Sequence, residues 1–303
     1  MRRLHVVLAL VLALALPLSA ATFQSDDGVT LYYDVVGKGE PVVLLSGGPG
    51  FSPEYLRPVA DALAKKYSLV LFHQRGTGKS VLAKYDNAFE VKKLVADLEA
   101  LRRELKQEKL TLVGHSFGGI LSMMYAREHP GRIRALALVD SGGPTLAAVP
   151  KFNANLEARY SAEEKARIKE WSDPEKLKNE HKRAVMEITR AKTAAYFFDR
   201  SKAKAFTDAM GDDWFNDAVF WGVVMQMTAL DLRPGLENVK APVIVIHGRQ
   251  DPLESADEVH ATFPGSRLVL IENAGHFPWL EQPEKVYAAL DGFLAGALDT
   301  PCH

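Results

Sequence analysis

The segment 114–118 of this 303-residue chain reads Gly-His-Ser-Phe-Gly, with Ser116 at its centre. It lies between an apolar run, Leu110–Val113, and a helical pattern, Phe117–Glu128. Glycines that flank a serine at a strand-to-helix junction permit a turn too sharp for residues with a Cβ atom. Such a turn exposes the serine hydroxyl above the sheet, and the helix N-terminus favours developing negative charge. The pattern predicts a nucleophilic serine; a Gly/Ser turn without chemistry is the alternative.

A serine nucleophile needs a general base, and three of the nine histidines follow or end predicted strands: His73, His247 and His276. His276 lies in an Asn-Ala-Gly-His-Phe-Pro segment just after the last predicted strand, Leu268–Ile271. Loops at the carboxyl edge of a parallel sheet are where catalytic side chains gather. His247 still belongs to its strand, so a local hydrogen bond explains it. We predict that His276 is the base.

The base needs an acid to orient it. Asp251 follows the predicted strand Val243–His247 and therefore lies on a loop at the same edge. A carboxylate there would hold the imidazole tautomer of His276 and stabilise the imidazolium. Two alternatives stay open: Asp251 caps a turn before Pro252, or Asp140, which follows another predicted strand, is the acid.

A donor loop for the tetrahedral oxyanion is the remaining requirement. The segment 46–50 reads Ser-Gly-Gly-Pro-Gly and follows the predicted strand Val42–Leu45. Glycines allow the backbone to approach a substrate oxygen closely. We predict that the backbone N–H groups of Gly48 and Phe117 form the oxyanion hole. A plain strand-to-helix turn is the alternative.

Short apolar strands bounded by glycines alternate with amphipathic helices along most of the chain, which indicates a parallel sheet covered on both faces. After Gly143 the composition becomes rich in Lys, Glu, Arg and Ala, and the alternation resumes only at Val243. We therefore predict an α/β fold with a mostly parallel central sheet, helices on both faces and an inserted helical cap. The core is assigned to residues 22–144 and 236–303, and the cap to residues 145–235.

The predicted strands are Thr30–Val36, Val42–Ser46, Leu69–His73, Leu110–Val113, Ile133–Val139, Val243–His247 and Leu268–Ile271. The predicted core helices are Pro53–Tyr67, Glu90–Gln107, Phe117–Glu128, Ser255–Phe263 and Glu281–Leu298.

One cap segment, Trp214–Met227, is rich in aromatic residues and methionine. Within it, Trp214, Phe220 and Trp221 are our candidates for substrate binding. Simple packing of the cap onto the sheet explains the segment equally well, because such side chains fill cores as readily as they line sites.

The composition excludes several classes of protein. Hydrophobic residues make up 47% and charged residues 25%, which excludes disorder or a collagen-like repeat as the main content. The net charge of −1 gives no sign of the basic face that nucleic acid requires. HExxH, CxxC and EF-hand patterns do not occur, so we predict no metal and no cofactor. The single cysteine, Cys302, cannot form an intrachain disulfide. A small molecule or short peptide is the expected partner, and the oligomeric state is not predicted.

The N-terminus has the pattern of a secretory signal peptide. Arg2 and Arg3 precede the apolar run Val6–Leu16, and small residues at positions 19 and 21 suit cleavage before Thr22. The run of 11 residues is shorter than the roughly 20 that span a bilayer, which disfavours an uncleaved anchor. Removal of these 21 residues leaves 282 residues with a net charge of −3. We expect a periplasmic or secreted protein without a stable membrane anchor.

Together, these residues resemble the α/β-hydrolase fold superfamily. In that superfamily the serine, the acid and the histidine of the triad follow one another along the chain, as Ser116, Asp251 and His276 do here. Within it, the chain is similar to the proline iminopeptidase branch. That branch has His-Gly-Gly-Pro-Gly where segment 46–50 lies, and Asp-Gln-Arg-Gly where segment 73–80 reads His-Gln-Arg-Gly-Thr-Gly-Lys-Ser. The resemblance implies a serine hydrolase with a helical cap that releases N-terminal proline from peptides.

The chain departs from that branch at Ser46, which replaces a histidine, and at His73, which replaces an aspartate. Its elbow contains Gly-His-Ser-Phe-Gly where those peptidases tend to have Gly-Gly-Ser-Trp-Gly. Their acidic cap motif for the substrate's amino group has no match, and the candidate substitutes are Asp212, Asp213, Asp217 and Asp231. A carboxylesterase or lactonase acting on small hydrophobic esters is therefore the alternative function, and a non-catalytic binding protein of the same fold is the second.

Overall fold

The computed structural model of the protein describes residues 18–82 and 88–298. The predicted n-region and apolar run of the signal peptide, together with Cys302, lie outside the described residues. Within the described ranges, no helix combines the length and the apolar character needed to cross a bilayer.

One eight-stranded sheet forms the centre of the molecule, with the strand order β1-β2-β4-β3-β5-β6-β7-β8. The strand β2 pairs antiparallel with β1 and β4, and every other pairing is parallel. The strands are β1 Leu18–Gln24, β2 Thr30–Gly37, β3 Pro41–Leu45, β4 Ser68–His73, β5 Leu110–His115, β6 Ile133–Val139, β7 Val243–Gly248 and β8 Arg267–Ile271.

Helices cover both faces of this sheet, as predicted. One hydrophobic cluster joins α2, α3 and α11 to one face, and a second joins α1 and α13 to the other. The core helices are α1 Arg57–Leu63, α2 Val91–Glu104, α3 Phe117–Glu128, α11 Ala256–Thr262, α12 Pro278–Glu281 and α13 Pro283–Leu298. The predicted helix Pro53–Tyr67 is instead a 3₁₀ turn, Pro53–Leu56, followed by the shorter α1.

Seven helices are inserted between β6 and β7 and form the cap. They are α4 Val149–Arg159, α5 Ala162–Trp171, α6 Pro174–Asn179, α7 His181–Ala194, α8 Arg200–Ala209, α9 Asp217–Val224 and α10 Arg233–Leu236. An isolated bridge pairs Phe215 of the cap with Phe51 of the core, and another pairs Thr145 with Asp231. Asn216 N–H also donates to the Gly50 carbonyl at 3.0 Å. The cap therefore rests on the loop that follows β3.

The parallel register brings four loops to one edge of the sheet. Leu45 of β3 lies opposite Gly114 of β5, and His115 lies opposite Val139 of β6. At the other end of the row, Gly248 of β7 pairs with Ile271 of β8. Since parallel strands end at the same edge, the loops after β3, β5, β7 and β8 converge there.

The edge strand β1 was not predicted. Sequence analysis assigned residues 19–21 to a signal-peptide cleavage site, whereas the structure pairs residues 18–24 with β2. Phe23 explains the pairing, because its buried ring packs on the rings of Tyr33 and Phe72 with centroids 6.1 and 6.0 Å away. Cleavage before Thr22 would retain Phe23 and three of the paired positions of β1.

Candidate active site

Ser116 occupies a strained turn between β5 and α3. Its φ of 55° and ψ of −119° lie outside the regions that a serine ordinarily adopts. Added Cβ atoms would meet the Gly118 carbonyl at position 114 and the Leu45 carbonyl at position 118, so the glycines on both sides are required. The elbow predicted from segment 114–118 therefore has the backbone that presents a serine hydroxyl.

His276 and Asp251 are hydrogen-bonded at the same edge. His276 Nδ1 lies 2.8 Å from Asp251 Oδ2, and the Leu253 N–H donates to Asp251 Oδ1 at 2.8 Å. The backbone N–H of His276 donates to the carbonyl of Tyr196 in the cap at 2.9 Å, which ties the His276 loop to the cap. Burial holds the pKa of His276 down to about 3, so the imidazole is neutral at neutral pH.

Asp140, the alternative acid, lies behind this pair. Its Oδ1 accepts the Gly248 N–H at 2.8 Å, and His247 Nε2 is directed to the Leu253 carbonyl at 2.7 Å. Burial and the nearby charge of Asp251 raise the pKa of Asp140 well above its usual value. Two adjacent buried carboxyls do not both ionise readily, so Asp140 holds a proton and Asp251 carries the charge. The hydrogen bond to the base thus goes to Asp251.

The loop after β3 lies against the elbow. A Cβ added at Gly47 would be 2.9 Å from Ser116 Cβ, so this backbone can approach only as glycine. The Gly47 N–H is already used, since it donates to Tyr55 Oη at 2.6 Å. Within the described ranges, no hydrogen bond engages the N–H groups of Gly48 or Phe117, the two predicted oxyanion donors.

A buried hydrogen-bonded chain connects this loop to His276. His115 Nε2 lies 2.8 Å from the His276 carbonyl, which can only accept, so Nε2 carries the proton. His115 Nδ1 must then accept from Tyr55 Oη, 2.8 Å away, and Tyr55 Oη accepts in turn from Gly47 N–H. Burial lowers the pKa of His115 well below its usual value, consistent with a neutral ring.

Sequence reasoning missed both members of this chain. Tyr55 was one residue of a helical pattern, and His115 was only the neighbour of Ser116. The position of His115 inside the elbow was the single signal available. Their partnership depends on a contact between residues 60 positions apart.

The three aromatic candidates, Trp214, Phe220 and Trp221, differ in how closely they connect to His276. Trp214 contacts the ring of Phe206 at 6.0 Å between centroids, and Phe206 contacts Phe277, the neighbour of His276, at 4.8 Å. Phe220 reaches the loop after β3 through Phe215. Trp221 contacts Phe220 but is 57% exposed, so the structure does not bring it to the site.

The segment 73–80 packs against the loop after β3 and supports it. Gln74 Nε2 donates to the carbonyl and to the hydroxyl of Ser46 at 2.9 and 3.0 Å. Arg75 is fully buried and forms ion pairs with Asp97 and Asp27 at 2.6 and 2.8 Å. Gln74 thus holds the loop after β3 in place, and Arg75 ties its own segment to α2 and to the turn between β1 and β2, so both have a structural role.

Among the described residues, two groups of side chains have the composition of a metal site. Asp140, His247 and Asp251 form one, and Asp34, Glu54 and His73 form the other, with candidate ligand atoms within 4.8 Å of one another. In the first group, Asp251 Oδ2 is already bonded to His276. In the second, both ring nitrogens of His73 have partners, so neither group presents a full set of free ligands.

The alpha/beta hydrolase fold family model matches residues 40–283 of the chain. The chain belongs to this family. Membership confirms the predicted fold and the prediction of a hydrolase enzyme. Three curated proteins are similar to this chain over most of its length. The AB hydrolase superfamily protein YclE of Bacillus subtilis (strain 168) is 28% identical over 269 residues, covering 86% of this chain and 93% of that protein.

The other two relatives are proline iminopeptidases. Those of Saccharolobus solfataricus and Xanthomonas citri are 26% and 29% identical, with 88% and 91% of this chain covered and 89% and 97% of theirs. The resemblance to that branch is confirmed. Among solved structures, a bromoperoxidase from Bacillus anthracis superposes with a TM-score of 0.70 at 23% identity, covering 91% of this chain and 99% of that chain. The esterase RhEst1 from Rhodococcus sp. ECU1013 gives 0.69 at 22%, covering 92% and 99%. These likenesses show the fold alone.

Proposed function

We propose that the protein is an exported serine hydrolase that cleaves carboxylic esters, lactones included, through Ser116, His276 and Asp251. Ser116 Oγ attacks the acyl carbon while His276 Nε2 takes its proton. The Gly48 and Phe117 N–H groups stabilise the oxyanion, and the bond to the leaving oxygen breaks as His276 returns the proton to it. Water then adds to the acyl-enzyme by the same route and releases the acid and Ser116.

The observation that carries hydrolysis is the 2.8 Å hydrogen bond between His276 Nδ1 and Asp251 Oδ2, at the sheet edge where Ser116 is held at positive φ. A nucleophile in a strained turn, a neutral buried base and an orienting carboxylate are the parts that acyl transfer needs. A protein that only binds its ligand has no use for this strain. The arrangement therefore supports an enzyme over a binding protein.

The charges of the cap favour an ester over a peptide. An aminopeptidase must bind the protonated amine of its substrate, which calls for a free carboxylate. Asp212, Asp217 and Asp231 instead pair with Arg190, His181 and Arg233 at 2.7, 2.9 and 2.7 Å. The fourth candidate, Asp213, is solvent-exposed.

Release of N-terminal proline is the second candidate function. Relatives named proline iminopeptidase match 88–91% of this chain at 26–29% identity, and that breadth favours it. The Gly-Gly-Pro-Gly loop shared with that branch lies against Ser116. This loop would serve either substrate, because an oxyanion forms in both reactions.

Export remains part of the proposal. Its support is the basic, apolar and small-residue order of the first 21 residues. Cleavage before Thr22 would remove the first part of β1 and leave the buried anchor Phe23 in place.

The test compares p-nitrophenyl acetate with proline p-nitroanilide on the enzyme recovered after export, with Ser116→Ala as the blank. We expect Ser116-dependent turnover of the ester and little turnover of the amide. The mass of the recovered protein should match a chain that begins at Thr22. Faster turnover of the proline amide would support the second candidate instead. Absence of both activities, together with no Ser116-dependent labelling by a fluorophosphonate, would leave a binding protein.

A further inference from the structure

The first cap helix, α4, makes a row of contacts with the loop that carries Asp251. Lys151 pairs with Glu254, and Asn155 Nδ2 donates to the Pro252 carbonyl at 2.9 Å. One turn further, Arg159 Nη2 donates to the Gln250 carbonyl at 2.8 Å. Asn155 also reaches Glu254 Oε1 at 3.0 Å, so the row is continuous.

The spacing of these contacts explains why Asp251 faces inward. Residues four apart lie on one side of a helix, about 6 Å from each other along its axis. Along α4 every fourth residue meets every second residue of the loop, whose chain bends at residue 252, and the residues between them point into the protein. Those are Asp251, 3% exposed, and Leu253, 8% exposed.

The opposite side of the loop is bound to the segment that carries His276. Gln250 N–H donates to the Ala274 carbonyl at 2.9 Å, and Gln250 Oε1 accepts from Ala274 N–H at 3.1 Å. The loop is thus held between the cap and the general base. A shift of α4 would move Asp251 relative to His276.

We propose that α4 is a positioning element of the active site, in which Asn155 and Arg159 fix the place of Asp251. This inference rests on the proposed role of Asp251 as the orienting acid. It makes the cap part of the catalytic apparatus in addition to any part it takes in binding substrate.

The charge of Arg159 adds to its hydrogen bond. It lowers the pKa of Asp251, against the effect of burial, which raises it. No carboxylate of the described residues lies within ion-pair distance of Arg159, so its charge is not cancelled locally. The titratable and charged groups around Asp251 are His276, His247, Asp140, Arg159, Glu254 and Tyr196.

The experiment measures pH profiles of ester hydrolysis for Arg159→Gln, Arg159→Lys and Asn155→Ala. Asn153→Ala is the matched control, since Asn153 is exposed on the same helix away from the loop. Loss of the cation makes ionisation of Asp251 less favourable, so the acidic limb of kcat/KM should move up by about 0.5 pH unit in Arg159→Gln. We expect kcat to fall roughly threefold to tenfold with KM nearly unchanged. Arg159→Lys should restore the limb, and Asn155→Ala should lower kcat without moving it.

A second measurement does not depend on turnover. The proton between His276 Nδ1 and Asp251 should give a low-field proton NMR signal that is absent in His276→Ala. In a Ser116→Ala background its titration should shift upward with Arg159→Gln, which tests the inference even if the proposed function fails. Acidic limbs and titrations identical to those of the parent protein would overturn it. So would a rise in KM confined to a carboxylate-bearing ester, because Arg159 would then bind substrate.

Discussion

Two of the buried histidine–aspartate pairs among the described residues look alike and differ in what surrounds them. His276 and Asp251 lie on loops at the carboxyl edge of the sheet, while His73 ends β4 and Asp34 lies within β2. His276 Nδ1 is 2.8 Å from its carboxylate, and His73 Nε2 is 3.1 Å from its own. Both rings are almost entirely inaccessible to solvent, at 3% and 0% exposed.

The difference lies in the second nitrogen and in the nearest cation. His73 Nδ1 accepts the Lys79 N–H at 3.1 Å, so both of its nitrogens are occupied. The ammonium of Lys79 also contacts both oxygens of Asp34, at 2.7 and 2.6 Å. Among the hydrogen bonds of the described residues, none engages Nε2 of His276, and no lysine pairs with Asp251.

These differences suit the first pair to the proposed proton transfer and the second to a structural role. A proton that arrives at His276 is stabilised by a carboxylate whose charge is not already neutralised, and Nε2 is left for a reacting group. A proton that arrives at His73 would find Asp34 paired with a cation and would have to displace a backbone hydrogen bond. A buried histidine next to an aspartate is therefore not sufficient evidence of catalysis.

The largest expected effect comes from exchanging the two histidines for smaller residues. His276→Ala should lower kcat/KM for an ester by roughly 10⁴- to 10⁶-fold, because Ser116 loses its base. His73→Asn should lower it by less than about tenfold and instead destabilise the fold by about 1–3 kcal/mol, since it removes the donor to Asp34 Oδ2 and the acceptor of the Lys79 N–H. Steady-state kinetics and denaturant unfolding of both variants measure the contrast.

Circular dichroism provides the control, because His276→Ala should keep the native spectrum. If His73→Asn proved as inactive as His276→Ala while remaining folded, the distinction between the two pairs would be wrong.

The sequence indicated that His276 and Asp251 lie close together, and it did not reveal the pair of His73 and Asp34. His276 and Asp251 each lie in a loop that follows an apolar strand, and parallel strands bring their loops to a common edge, so position along the chain implied proximity. The partners of His73 are Asp34 in the middle of β2 and Lys79 in a loop, and no periodicity connects these positions. The same limit hid Tyr55, whose hydroxyl meets His115 across 60 residues.

The edge strand β1 shows a different limit. Residues 19–21 are small and follow an apolar run, which is typical of a cleavage site. Pairing with β2 depends on backbone hydrogen bonds and on Phe23, which such a pattern does not reveal. Both interpretations can hold, since a strand and a cleavage site can share residues at different times.

A smaller effect is expected where the loop after β3 meets the proposed catalytic pair. Tyr55→Phe removes the acceptor of Gly47 N–H and the donor to His115 Nδ1. Leaving these buried groups unpaired should destabilise the protein by about 1–3 kcal/mol. It should also lower kcat by roughly tenfold, because Gly47 precedes the proposed oxyanion donor Gly48.

Tyr287→Phe is the matched control, since its hydroxyl donates to the Pro58 carbonyl at 3.3 Å near the surface. Thermal unfolding and ester kinetics of both variants distinguish the two positions. Equal effects at Tyr55 and Tyr287 would show that the buried chain contributes nothing to catalysis.

The smallest effect tests how the structural pair responds to pH. Burial and the charge of Lys79 lower the pKa of His73, while Asp34 and Glu54 raise it. Lys79→Met removes one lowering influence, so the pKa of His73 in the folded protein should rise. The variant should lose about 1 kcal/mol at pH 8, where nothing replaces the ammonium beside Asp34.

At pH 5.5 that deficit should shrink, and the sign follows from proton uptake. The folded variant binds a proton on His73 at a higher pH than the parent protein does, so its stability relative to the parent increases as the pH falls. Urea unfolding of Lys79→Met and Lys79→Arg at both pH values measures this, and Lys79→Arg, which keeps the charge, should show little dependence. A deficit of the same size at both pH values would mean that His73 stays neutral without Lys79. Burial, and not the cation, would then be what prevents protonation of His73.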